Sequence, residues 1–165
     1  MGDAMNQMGQ IMSLDLIASD LVFLLVFFFL YQAYFLNVER FSSQTQSREM
    51  QHQSQEHAYL LVNSPGYPAD WNSAGVIIPG LALEPGVIDS VKLSSLRSMT
   101  ISDYNSVRSL MDLNAYEFRI DIDSNNNALD TNFGKDSNGY AQIFANERIV
   151  TIGGDYAVFR LSLFR

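Results

Sequence analysis

Residues 21–36 read LVFLLVFFFLYQAYFL, an apolar run in which Gln32 is the only strongly polar side chain. With the preceding IMSLDLIAS of residues 11–19, the run is about 25 residues long, enough to cross roughly 30 Å of hydrocarbon as a helix. Leu and Phe occur all round this helix rather than on one stripe, so every face requires apolar surroundings. We therefore expect the helix to mediate subunit assembly through its apolar side chains, among them Leu21, Phe23, Leu25, Phe27, Phe28 and Phe29.

A secretory signal peptide is the main alternative for an N-terminal apolar run. It requires Lys or Arg before the apolar residues and a pattern of small residues at the cleavage site after them. The first basic residue here is Arg40, and Leu36-Asn37-Val38 is a poor cleavage site. We therefore expect the helix to be retained, with Tyr31 and Tyr34 at the membrane interface, where aromatic side chains concentrate.

Two acidic residues, Asp15 and Asp20, interrupt the apolar run. A carboxylate at membrane depth is costly and usually has a partner. One interpretation places both side chains near the lipid head groups, where they stay hydrated. The other pairs Asp15 with a cation on a neighbouring subunit when helices bundle together.

Composition excludes several classes of function. The chain of 165 residues contains no cysteine and only two histidines, and its formal net charge is −8. Disulfides and thiolate metal sites are therefore excluded, and the negative charge argues against nucleic acid, which requires clustered Lys and Arg. His52 and His57 are five residues apart rather than four, so they do not share a helical face and are expected on the surface. Because no catalytic pattern is present, we expect neither a cofactor nor an enzyme.

The polar segment 38–62 contains no Gly or Pro and is rich in Gln and Ser. Taken alone, such a composition is compatible with a disordered linker. The residues on both sides favour a helix, however, and we predict one continuous helix from about Leu14 to Val62. The predicted division is a leader-like segment 1–13, a long helix 14–62 and a soluble domain 63–165, because Pro65-Gly66 ends the helix with a turn signal.

The clearest strand of the soluble domain covers residues 116–123. Its apolar residues alternate with charged ones, which predicts a sheet with one face on a core and one in water. The fold class is therefore α+β: a long N-terminal hydrophobic helix, then a small domain with an antiparallel β-sheet and short helices. The other predicted elements are strands at 76–78, 80–83, 140–144, 147–152 and 156–163, a hairpin turn at Gly153-Gly154, a helix capped by Asp89 or Ser90 and ending near Leu96, and a helix capped by Ser102.

A polar loop after this strand carries oxygen ligands at alternate positions: Asp121, Asp123, Asn125 and Asn127. Alternating oxygens in a turn are the arrangement that Ca²⁺ coordination uses, which makes this loop a weak metal candidate. The loop lacks the turn glycine and the bidentate Glu of an EF-hand, and Asn and Asp also favour ordinary turns. We therefore favour a plain hairpin loop.

The only tryptophan, Trp71, lies beside Tyr67 in a proline-rich stretch. The cluster has two interpretations. It forms an aromatic binding surface, or it packs a loop against the domain, which is the commoner use of such residues and the one we favour.

Three stretches together resemble the archaeal type IV pilin-like proteins with class III signal peptides. Gly9-Gln10-Ile11-Met12-Ser13-Leu14-Asp15 is similar to the prepilin pattern, with Met12 as one additional residue. LLVNSPGYPADW (60–71), followed by Gly80-Leu81-Ala82, is similar to a Leu-Leu…Pro-Gly-x-Pro-x-x-Trp…Gly-Leu-Ala signature of that family. The C-terminal ERIVT (147–151) with its closing apolar strand is the third stretch.

The resemblance implies a subunit of a pilus-like filament at the cell surface, with the processed helices bundled in its core and the soluble domains facing outward. It implies processing between Gly9 and Gln10, partners that are copies of the chain or related pilin-like subunits, a membrane stage, and a role for Asp15 in helix register. The positive-inside rule applied to Arg40 and Arg48 favours the opposite orientation, with the soluble domain in the cytoplasm. The alternative function is a monomeric single-pass membrane protein whose soluble domain binds a surface partner or glycan.

Overall fold

The computed structural model describes residues 3–72, 75–124 and 129–165, and within the first helix it describes the side chains of residues 16–36 and from 45 onward. The chain divides into two compact units, residues 1–46 and 47–165. The first helix, α1, runs over Asp3–Asn63 without a break. The predicted continuous helix through the Gln- and Ser-rich segment is confirmed. The first unit consists of α1 residues alone over its described part.

The second unit contains the end of α1, two further helices and one six-stranded sheet with the order β1-β2-β5-β6-β3-β4. All neighbouring strands are antiparallel except β2 and β5, which are parallel. The α+β class is confirmed. The elements are β1 Ala82–Glu84, β2 Val87–Ile88, α2 Ser90–Ser102, α3 Tyr104–Leu110, β3 Glu117–Ser124, β4 Thr131–Gly134, β5 Ile143–Ile152 and β6 Asp155–Phe164.

Several element boundaries differ from the sequence-based prediction. The predicted strands 140–144 and 147–152 form one strand, β5, because Ala145 and Asn146 pair with β6 like their neighbours. The helix capped by Asp89, whose Oδ1 accepts from the Val91 N–H at 2.8 Å, continues to Ser102 instead of ending near Leu96. The next helix is capped by Asp103, not Ser102. Residues 76–78 form only a single bridge, between Ile78 and Tyr67.

The core lies on one face of the sheet, under the helices. In β3 the buried residues are the alternate ones predicted, and they stand opposite buried residues of β6, with Phe118 beside Leu163 and Ile120 beside Leu161. The other face of β3 carries ion pairs, such as Arg119 Nε to Asp121 Oδ1 at 2.8 Å. The alternation of core and solvent faces predicted for this strand is confirmed.

The part of α1 in the second unit packs on the core through one narrow stripe. Met50, Ser54, Ala58 and Leu61 are buried at spacings of three and four residues, which places them on one helical face. Ser54 and Ala58 are small, so the backbone of α1 approaches the sheet closely, and the Ser54 hydroxyl lies 3.5 Å from the carbonyl oxygens of Phe144 and Leu161. A segment that is mostly Gln and Ser in sequence therefore contributes to the core through a few small residues.

The C-terminal end of α1 is closed by the chain that follows it. The last carbonyl groups of a helix have no partner within the helix and need one outside it. Here the carbonyl oxygen of Leu60 accepts from the Ser64 N–H at 2.9 Å, that of Leu61 from the Leu81 N–H at 2.8 Å, and that of Val62 from the Gly86 N–H at 3.1 Å. The Gly86 carbonyl in turn accepts from the Thr151 N–H at 2.9 Å, so one residue joins the helix end to the sheet.

Two buried side chains hold the loop that makes this closure, residues 64–81. The Trp71 indole Nε1–H lies 3.0 Å from the Pro65 carbonyl oxygen and 2.8 Å from that of Gly80. The Lys92 ammonium of α2 donates to the carbonyl oxygens of Pro65 and Ala69, both at 2.7 Å. The buried lysine is thus compensated by carbonyl dipoles, and the loop is fixed to both the helix end and α2.

The loop also requires glycine where its two ends cross. A Cβ on Gly80 would meet the backbone of Gly66 and Ser64, and a Cβ on Gly66, which has φ +79°, would lie 2.6 Å from the Ile78 carbonyl oxygen. These contacts are with backbone atoms, which do not move aside as a flexible side chain does.

We predict that Gly80→Ala lowers the free energy of unfolding of the second unit by about 2 kcal/mol or more, because the added methyl overpacks a backbone crossing. The matched control is Gly75→Ala in the same loop, where an added Cβ meets nothing within 4 Å. It should leave stability unchanged or raise it by a few tenths of a kcal/mol. Fluorescence of Trp71 during thermal unfolding of the full chain in detergent measures the stability of both variants. Equal effects of Gly80→Ala and Gly75→Ala would show that the backbone crossing does not require glycine at position 80.

Candidate functional site: the apolar surface of α1

The main candidate site is the surface of α1 from Leu16 to Leu36. All of its described side chains are exposed, and its large hydrophobic residues have exposed fractions between 51% and 70%. The span is 21 residues long with a mean hydropathy of 2.1. At 1.5 Å per residue it measures about 31 Å, which matches the hydrocarbon thickness of a bilayer.

The residues that the sequence assigned to assembly lie in this span and point in all directions around the helix. Each is more than half exposed: Leu21, Phe23, Leu25, Phe27, Phe28 and Phe29. Neighbouring rings contact each other along the helix, as in Phe23 and Phe27, whose centroids are 6.4 Å apart, and Tyr31 and Phe35, also at 6.4 Å. A shallow groove on one side is lined by Leu21, Leu24, Leu25, Phe27, Phe28 and Tyr31.

The polar residues of the span are few. The Ser19 hydroxyl donates to the Leu16 carbonyl oxygen at 2.9 Å, so it is satisfied within the helix. Asp20 and Gln32 are exposed near opposite ends of the span. The helix backbone includes Gly9, Gln10 and Asp15, but their side chains lie outside the described residues.

This surface is stable only when other apolar groups, from lipid or protein, cover it. Burying one Leu or Phe side chain gives about 1.5–3 kcal/mol, and the span exposes eleven such residues. A contiguous exposed apolar surface of this kind marks a membrane or protein interaction site. By length and composition, α1 is the one described helix able to cross a membrane, as an anchor or a signal sequence.

The polar loop after β3 does not assemble a metal site within the described residues, and no cluster of three or more potential ligands occurs among them. Asp121 pairs with Arg119 at 2.8 Å, and Asp123 lies 4.0 Å from Arg160. The other two predicted ligands, Asn125 and Asn127, lie outside the described residues. The Asp130 carboxylate accepts from the Ser124 N–H at 2.6 Å.

The two aromatic residues of the proline-rich stretch, Trp71 and Tyr67, have different environments. Trp71 is buried and bonds the loop described above, so the packing interpretation of this residue is confirmed. Tyr67 is exposed and contributes its backbone, which bridges to Ile78.

A feature that sequence reasoning missed is a pocket of about 210 Å³ beside the end of α1. It is lined by His57, Leu60, Leu61, Ile78, Pro79, Leu110, Met111 and Asp112. His52 is exposed as expected, whereas His57 is half-buried. Burial lowers the pKa of the His57 imidazole, and the negative charges of Glu56 and Asp112 oppose this shift. No local sequence pattern indicates the pocket, because it forms between residues far apart in the chain.

Comparisons of the chain with protein family models, with curated proteins and with solved structures find no match. The geometry of the chain and its motifs therefore carry the functional interpretation.

The lowered pKa of His57 predicts a pH-dependent stability. A histidine whose pKa is lowered by folding stabilises the fold above its unfolded pKa, near 6.5, and this contribution is lost as pH falls through that value. The melting temperature of the second unit should therefore fall between about pH 7.5 and 5.5.

The matched variants are His57→Gln and His52→Gln, each measured by Trp71 fluorescence in detergent. We expect His57→Gln to flatten the pH dependence and the exposed His52→Gln to keep the wild-type profile. Identical profiles for His57→Gln and the wild type would show that this imidazole does not couple to folding.

Proposed function

We propose that the chain is a structural subunit of a type IV pilus-like surface filament that assembles through the apolar surface of α1. The observation that carries this proposal is that every described side chain from Leu16 to Leu36 is exposed. Lipid around a membrane anchor also covers these apolar side chains. We therefore treat the membrane and the filament core as two successive environments of the same helix. The subunit is held in the membrane first, and neighbouring helices then replace the lipid.

The distribution of polar groups supports helix-to-helix packing in such a filament. The apolar span carries aromatic and branched side chains on every side, which can fill the spaces between several neighbours at once. By contrast, the solvent face of β3 carries charges paired with one another, such as Arg119 and Asp121. The soluble unit thus offers a hydrated outer face, and the span offers the apolar one.

The Pro-Gly…Trp…Gly-Leu-Ala residues also support the proposal. In this chain they close the C-terminal end of α1 through Gly66, Trp71, Gly80 and Leu81. A subunit that transmits load from a filament core to a soluble domain needs a fixed helix end. The resemblance of this signature to pilin-like proteins therefore has a physical reason in the chain itself.

Asp15 has a specific role in this proposal. A carboxylate among apolar helices is stabilised when a cation of a neighbouring subunit lies beside it, and this requirement selects one helix register. We predict that Asp15→Leu still inserts into the membrane but does not form ordered filaments, because the register loses its polar constraint. Asp15→Glu, which keeps the charge, is the matched control and should assemble.

The test is electron microscopy of filaments from cells that produce each variant, with mass spectrometry of the filament subunit. We expect wild-type filaments whose subunit begins at Gln10, after cleavage behind Gly9. Normal filaments from Asp15→Leu would contradict the register role alone. A wild-type chain that stays in the membrane as a monomer would overturn the filament proposal and favour the anchored binding protein.

A further inference from the structure

Strand β5 has an open edge over most of its length. Along one side it pairs with β6 from Ile143 to Ile152. Along the other side its neighbour β2 reaches only Thr151 and Ile152. The stretch 143–149 is therefore an edge of the sheet, and sheet edges present unpaired N–H and C=O groups that can bind another strand.

The register shows which residues face this edge. The Thr151 N–H points away from β6, since it donates to Gly86 on the β2 side. In an antiparallel pair, alternate residues repeat the same backbone orientation. Ile143, Ala145, Glu147 and Ile149 therefore also direct their N–H and C=O groups outward. Within residues 3–72, 75–124 and 129–165, no backbone or side-chain group bonds to them at that edge.

The side chains along the edge are self-complementary about its midpoint, Asn146. On the solvent face, Ile143 and Ile149 are exposed, the latter to 79%, and lie three residues on either side of Asn146. On the core face, Phe144 and Arg148 are placed symmetrically about it.

We propose that this edge binds the same edge of a second copy of the chain, as an antiparallel strand pair centred on Asn146. Ile143 then lies opposite Ile149 of the second copy, and Ala145 opposite its Glu147. The outward residues exchange ladder hydrogen bonds across the edge. The two Asn146 side chains face each other at a non-hydrogen-bonded position, where side chains approach most closely.

Charge excludes the neighbouring registers. Shifting the pair towards the C-terminal end puts Glu147 opposite Glu147 of the second copy, or Arg148 opposite Arg148, and like charges directly opposite each other are destabilising. Shifting it the other way leaves Ile149 without a partner. Registers of odd offset place outward residues against inward ones and form no ladder. In the Asn146-centred register, Arg148 lies opposite Phe144 of the second copy, and Glu147 keeps its bond to Arg160 at 2.7 Å.

This inference is independent of the proposed assembly through α1, because it concerns the second unit alone. The chain has no native cysteine, so single cysteines give a clean cross-linking test. Paired residues at a non-hydrogen-bonded position have Cα atoms about 4.5 Å apart, within the range of a disulfide. Ile149, in contrast, lies about 20 Å from Ile149 of the second copy at the strand rise of about 3.4 Å per residue.

The experiment oxidises the full chain mildly in detergent and follows dimers on non-reducing gels. We expect Asn146→Cys to form a disulfide dimer several-fold faster than Ile149→Cys, although Ile149 is the more exposed position. Adding Ala145→Pro, which removes one outward N–H without removing a bond to β6, should abolish the Asn146→Cys dimer. Cross-linking that follows exposure, or that survives Ala145→Pro, would overturn the proposal.

Hydrogen exchange on the unsubstituted chain tests the same strand pair without relying on variants that could misfold. Hydrogen exchange should protect the outward N–H groups of Ala145 and Glu147 nearly as well as the inward ones of Asn146 and Arg148, and dilution should remove only the outward protection. Fast exchange of the outward groups at every concentration would show that the edge stays open.

Discussion

Water is not a stable environment for the surface of α1 from Leu16 to Leu36. Its large apolar side chains are at least half exposed on every side, and the described part of the chain offers nothing to cover them. Hydrophobic free energy scales with the apolar area removed from water. Covering this span therefore releases more free energy than any single polar contact of the second unit. Lipid can cover all faces at once, and so can other copies of the helix in the proposed filament.

The second unit satisfies the polar groups at the C-terminal end of α1. The final carbonyl groups of α1 are bonded by the loop that follows, and the loop is held by Trp71 and by the buried Lys92. The small residues Ser54 and Ala58 let α1 approach the sheet. This unit thus has a complete core without the apolar span, which leaves the span free for contacts outside the chain.

Much of this fold follows from local pattern. The alternation in residues 116–123, the Gly153-Gly154 turn and the Asp89 cap each carry their signal within a few residues, and the structure has all three. The missed elements depend on distant partners. Strand β4 has no alternating pattern and exists because β3 lies beside it, and β2 is two residues long. The half-burial of His57 likewise depends on a pocket formed with Ile78 and Asp112, which sequence spacing does not reveal.

The candidate interaction surfaces likewise include one that local sequence predicts and one that depends on distant partners. The apolar surface of α1 was predictable, because composition alone defines a helix that is apolar all round. The open edge of β5 was not, because it depends on where β2 stops pairing. Asp121 and Asp123 show the opposite error. Their spacing resembles that of metal ligands, but their carboxylates lie beside Arg119 of β3 and Arg160 of β6.

The claim that every face of the α1 span is covered has one direct test. Single cysteines at Phe27, Phe28, Phe29 and Leu30 sample the whole circumference, because consecutive helical residues are about 100° apart. They are probed with a water-soluble maleimide in native membranes or filaments, with exposed Gln51→Cys as the reactive control. We predict that Gln51→Cys is labelled and that all four positions in the span are protected. Labelling of any one of the four would show that a face of the span is in contact with water, and would contradict the covering of α1 on every side.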